Sequence, residues 1–305
     1  MEVNTIKSYI FDNKCKIDGH VHLFDKNEFL GDLYRSSKNL YVGFADYSIR
    51  HIDEYKDKML GYYDNFIKKH YKPFHKRFLL ACAPTIQETI EIYESHKDVI
   101  RGFGELKVHK ICEGGDYNIL TINELKKLYK YSEAHGNLPI YTHYTLSESR
   151  YIENLKNILK QYPTIPTVLC HCGMEDGCDL DEIYYNITAI QLEYTNLWLD
   201  ISYIATDYFI KNPFKLTNLA LDRCILGSDI NPQIFHSKDI DDPKKFCDTC
   251  YINYEKLKDF IKTNDNNVLR LFKGCQKKVN RKLSEYIRVN RNRVEMKGFH
   301  LMTGL

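Results

Sequence analysis

Short apolar runs recur along this chain at intervals of roughly 25–40 residues, the length of one strand-plus-helix unit. Eight of them read as strands: residues 16–23, 39–46, 77–85, 100–108, 138–144, 166–173, 197–203 and 223–229. Several are apolar almost without interruption, as expected of parallel strands covered on both faces. Amphipathic stretches lie between them, at 53–70, 86–96, 122–135 and 149–162. Ile90 and Tyr93 mark an apolar face in the second. The third opens behind Thr121 as a side-chain cap and stops before Gly136, and the last stops before Pro163. Strands alternating with helices predict a (β/α)8 TIM barrel, an α/β fold formed by residues 1–305 as a single domain. Residues 266–272 read as the start of a closing helix, and 273–305 as a C-terminal helical extension.

Polar residues interrupt these runs at one end. In the first, Asp18-Gly19-His20-Val21-His22 places His20 and His22 on one face, because strand side chains alternate. Two imidazoles on a buried face are costly unless something uses them, and a metal ion is the usual user. The fourth run carries Glu105 and Lys107 two residues apart, the fifth ends in His143, the sixth in His171 and the eighth in Asp229. A closed barrel brings all these ends to one mouth, whereas an open doubly wound sheet would scatter them along a line. Alternation also turns Cys170 and Cys172, which flank His171, toward the covering helices.

Composition narrows the picture. Hydrophobic residues make up 43% of 305 residues, ample for a large core. A net charge of +2 gives no electrostatic case for nucleic acid and favours a small-molecule substrate. The N-terminal stretch lacks the apolar segment of a signal peptide, and no run approaches a membrane-spanning helix, so a cytoplasmic location is expected. The ten cysteines are too few for a disulfide scaffold at this length. Cys247 and Cys250 form one Cys-x-x-Cys, but no second pair follows to complete a zinc ribbon. Residues 230–248 read as a loop over the mouth, His109 as a surface histidine, and the basic tail, with nine Lys/Arg against two Glu, as a solvated helix.

A divalent metal on His20, His22, His143 and Asp229 would leave a coordination position for water and bring that water's pKa toward neutrality. Zinc is the first choice for such donors. Asp229 is then positioned to take the proton, and His171 either binds a second ion or polarises a substrate oxygen. Glu105 could bridge two ions directly; Lys107 could do so only when carbamylated, which makes Glu105 the favoured metal-associated residue.

These motifs resemble the amidohydrolase superfamily of metal-dependent hydrolases over most of the chain. His20-x-His22 looks like its first-strand motif, His143 and His171 match its fifth- and sixth-strand histidines, and Gly227-Ser228-Asp229 is similar to its eighth-strand motif. The run from Leu197 to Ser202 and the run from Asn267 to Phe272 resemble the seventh strand and closing helix of the amidohydrolase-related subgroup. The resemblance implies hydrolysis of an ester, lactone or amide in a small polar substrate. That subgroup also contains non-oxidative decarboxylases, which implies a decarboxylase as an alternative; such an enzyme needs a cation for the substrate carboxylate, with Arg50, Arg150 and Lys107 available. Gly104-Glu105 resembles the fourth strand of the TatD-like two-metal nucleases, a further alternative, although Leu106-Lys107-Val108-His109 departs from that pattern.

Overall fold

A computed structural model describes residues 17–23, 40–45, 59–68, 77–108, 120–229, 256–257, 261 and 264–272. Its strands are β1 (Ile17–Leu23), β2 (Leu40–Ala45), β3 (Arg77–Ala81), β4 (Ile100–Lys107), β5 (Ile140–His143), β6 (Thr167–Leu169), β7 (Leu197–Ile201) and β8 (Cys224–Leu226). They form one sheet in sequence order, each parallel to the next. Its helices are α1 (Met59–Phe66), α2 (Ile86–Ser95), α3 (Ile122–Ala134), α4 (Ser149–Gln161), α5 (Leu180–Glu193), α6 (Tyr203–Lys211) and α7 (Asn264–Leu271). The fold is a (β/α)8 barrel.

The barrel closes where β1 meets the residues after β8. The Asp229 N–H donates to the His20 carbonyl at 3.0 Å, and the Ser228 N–H to Asp18 Oδ1 at 2.9 Å. Asp18 also accepts from the His20 N–H at 3.2 Å and from the Ser228 hydroxyl. This approach requires glycine: a Cβ on Gly227 would stand 2.4 Å from the His20 Cβ. Burial pushes the Asp18 carboxyl up to about 6, against the Ser228 and His20 hydrogen bonds that lower it.

Two apolar layers follow from strand alternation. Ile17, Val42, Phe78, Leu80, Tyr141, Val168 and Ile225 meet inside the barrel, where Val268, Leu271 and Phe272 of the closing segment pack against them. Phe78 and Phe272 stack with ring centroids 4.4 Å apart. The alternate residues, including Leu79, Phe103, Ile140, Leu169 and Leu199, pack against the helices. The α2 helix buries Ile86, Thr89, Ile92 and Tyr93, with Ile90 only partly buried. Thr121 caps α3 in a capping box, its hydroxyl accepting from the Glu124 N–H at 3.3 Å and its N–H donating to Glu124 Oε2 at 2.8 Å.

Among the described residues no helix is long and apolar enough to cross a membrane. The loop at 230–248, the tail at 273–305, Arg50, His109, Cys247 and Cys250 lie outside the described residues.

Candidate metal centre

The polar strand ends form one buried cluster. On β1, His20 and His22 share a face, as alternation requires, and their Nε2 atoms lie 3.3 Å apart. Asp229 Oδ1 is 3.1 Å from His20 Nε2 and 2.9 Å from His22 Nε2. On β4, Glu105 and Lys107 also share a face, and the Lys107 ammonium donates to Glu105 Oε2 at 2.8 Å. Glu105 Oε1 lies 2.6 Å from His143 Nδ1 and 3.3 Å from His171 Nε2. Glu105 Oε2 and His22 Nε2, 3.8 Å apart, join the two halves of the cluster.

The donor atoms fall into overlapping groups, each within 4.8 Å: His20, His22 and Glu105; His20, His171 and Asp229; Glu105, His143 and His171. The structure thus places His143 beside Glu105 and His171. The set suits a divalent cation of the zinc type, which takes imidazole nitrogen and carboxylate oxygen. Asp229 Oδ1 supports the fit. It is buried and lacks a well-directed hydrogen bond, although two imidazole nitrogens stand within 3.1 Å of it.

A single carboxylate on β7 orients the histidines. His20 Nδ1 donates to Asp200 Oδ2. His171 Nδ1 lies 2.9 Å from the Ser202 hydroxyl, which donates to the same Asp200 oxygen at 3.0 Å. With both Nδ1 atoms committed as donors, both Nε2 atoms face the cluster, where a metal would take the place of a proton. Asp200 and Ser202 are site residues for which the sequence reading assigned no role. The available signal was period two: both are polar and alternate along an apolar strand.

Opposite charges hold one another ionised within the cluster. Burial disfavours ionised Asp229, but the His20 charge, then the close His20 and His22 imidazoles, hold its carboxyl well below the usual range. Glu105 follows the same logic, with Lys107 and then His143 outweighing burial. Burial also opposes protonation of His20, yet Asp200 and Asp229 keep it well above the ordinary histidine value. His143 is the converse: burial and the Lys107 charge push it down to about 3, against Glu105, so its ring is neutral.

The sixth and eighth strands end earlier than the apolar pattern predicts. β6 stops at Leu169, and His171 (φ 52°) and Cys172 (φ 57°) adopt left-handed backbone; Asp229 (φ 52°) does so beyond β8. Such positions cost about 1–3 kcal/mol for non-glycine residues and concentrate at functional sites. Alternation itself corrects the cysteine expectation: with Val168 inside and Leu169 outside, Cys170 falls inside, and the left-handed turn then brings His171 to the cluster as well. Cys172 packs toward the helices, but Cys170 turns into the barrel beside His20 and Asp200. Burial, then the Glu105 charge, pushes the Cys170 thiol well up, so it stays protonated. Tyr203, 44% exposed and also left-handed (φ 47°), sets its ring 5.9 Å from that of His171 at the mouth.

No protein-family model and no curated protein matches the chain. Solved structures do. An amidohydrolase from Burkholderia multivorans with bound zinc aligns with a TM-score of 0.54 at 10% identity, over 85% of this chain and 99% of that one. The 4-oxalomesaconate hydratase of Rhodopseudomonas palustris aligns at 0.52 and 12%, over 92% and 99%. At these identities the likeness is one of fold: the chain is a (β/α)8 barrel built like those of the amidohydrolases.

Proposed function

We propose that the protein is a metal-dependent hydrolase of the amidohydrolase superfamily, acting on an ester, lactone or amide in a small polar substrate. The observation that carries this reading is the convergence of His20 Nε2, His22 Nε2 and Asp229 Oδ1 beside Glu105, His143 and His171 at the C-terminal mouth of the barrel. The zinc in the Burkholderia neighbour supports zinc as the metal.

His20, His22 and Asp229 would hold the ion. A divalent cation there supplies Lewis acidity, lowering the pKa of water and polarising a substrate oxygen. The protein supplies the rest. Asp229 is kept ionised and lies at the mouth, where it can accept the proton of an attacking water and return it to the leaving group. His171, held by Ser202, can contact the substrate oxygen that gains charge. Tyr203 forms a wall beside His171.

Among the described residues, both cations weighed for a substrate carboxylate are committed elsewhere, which supports hydrolysis over decarboxylation. Lys107 is engaged by Glu105 and His143, and Arg150 pairs with Glu148 at 2.7 Å on the exposed start of α4.

The test is turnover by the full chain of a panel of esters, lactones and amides, before and after dialysis against a chelator. Turnover lost on chelation and restored by zinc is expected. Carbon dioxide release from an unsaturated acid would replace this reading with the decarboxylase. Metal-dependent degradation of single-stranded DNA, abolished by Glu105→Ala, would replace it with the nuclease.

A further inference from the structure

We propose that the Lys107 ammonium occupies the place of a second metal ion, so that the centre takes one divalent cation, on His20, His22 and Asp229. The inference rests on the metal-dependent reading above and adds the number of ions and the residue that sets it.

The cluster contains donors enough for two ions. Beside the first group stand Glu105, His143 and His171, which by composition alone could hold another. Lys107 lies against this second group. Its Nζ is 2.8 Å from Glu105 Oε2 and 3.0 Å from His143 Nδ1, contacting two of the three residues. The Glu105 Oε2 lone pair that accepts from the ammonium is not open to a metal, and a fixed positive charge repels a divalent cation placed next to it.

Backbone register holds the ammonium there. Lys107 pairs with His143 across β4 and β5, and lies two residues beyond Glu105 on the same face. The side chain is 6% exposed, so it has little room to swing into solvent. Carbamylation would turn the ammonium into an anion against the Glu105 carboxylate. Glu105 already supplies the negative charge that such a group would bring, and two anions at that separation repel.

The experiment is elemental analysis of the full chain after equilibration with excess zinc and removal of unbound metal. Wild type is expected to retain about one ion per chain, and Lys107→Met, which removes the charge at similar size, about two. Anomalous scattering from zinc-soaked wild-type crystals, which needs no variant, should give one peak at His20, His22 and Asp229. A second peak among Glu105, His143 and His171, or a carbamate signal from Lys107 after labelling with 13C carbon dioxide, would overturn the proposal while leaving the metal-dependent reading intact. A folded Lys107→Met variant that stays at one ion would do the same. Wild type that binds no zinc would remove both.

Discussion

The Ser202 hydroxyl donates to Asp200 Oδ2 at 3.0 Å, and through this bond one carboxylate governs two histidines, His20 on β1 and His171 in the turn after β6. Asp200 receives His20 directly and His171 by way of Ser202. Asp200→Asn keeps the size but replaces an acceptor with an amide that cannot accept from both partners on equal terms. Removing such an outer partner of a ligating histidine costs about 10–100-fold in metal affinity. Competition with a chromophoric chelator measures this. Unchanged affinity would mean that His20 does not hold the metal. Ser202→Ala should disturb His171 and leave the His20 contribution in place.

Asp18 ties the two ends of the barrel together. Asp18→Ala removes the acceptor for the Ser228 N–H, the Ser228 hydroxyl and the His20 N–H, all buried. Each donor left unpaired costs about 1–3 kcal/mol. Urea denaturation should therefore show a clear loss of stability, larger than that of Ser228→Ala, which deletes one of the three donors along with its need. Equal midpoints for Asp18→Ala and wild type would show that the β1–β8 seam does not depend on this carboxylate.

Asp229 combines metal contact with basicity. Asp229→Asn preserves shape, removes the proton acceptor and weakens the metal. The expected loss in kcat is about 10³-fold or more on whichever substrate the panel identifies. Single-turnover assays at saturating zinc separate lost basicity from lost metal. A variant that keeps wild-type turnover under those conditions would exclude Asp229 as the base.

At the opposite end of the barrel, Phe272 stacks on Phe78 within the inner layer. Phe272→Ala should destabilise the fold by about 3–5 kcal/mol, the cost of emptying a packed aromatic site. Thermal unfolding reads the loss, and chelator titration at a temperature where the variant is folded should give the wild-type metal affinity. A neutral effect on stability would mean that the closing helix does not seal the barrel.

Much of this architecture is legible along the chain because strand alternation is local. His20 with His22, and Glu105 with Lys107, share faces by their two-residue spacing alone, and each pair meets in the cluster. The capping box at Thr121 and Glu124 is equally local. The recurrence of apolar runs determines the number and sequence of parallel strands, since each must bury both faces.

Tertiary structure decided what alternation cannot carry. It ended β6 at Leu169 and put His171 and Asp229 in left-handed turns, so that His171 reaches the cluster although Cys170 before it already faces inward. It joined Asp200 to His20 across 180 positions and Asp18 to Ser228 across 210. It also set His143 beside Glu105 and Lys107, a matter of register between β4 and β5. Periodicity reports which face a residue occupies. Only closure of the barrel decides which faces meet, because the contacts that fix them lie between strands far apart in the chain.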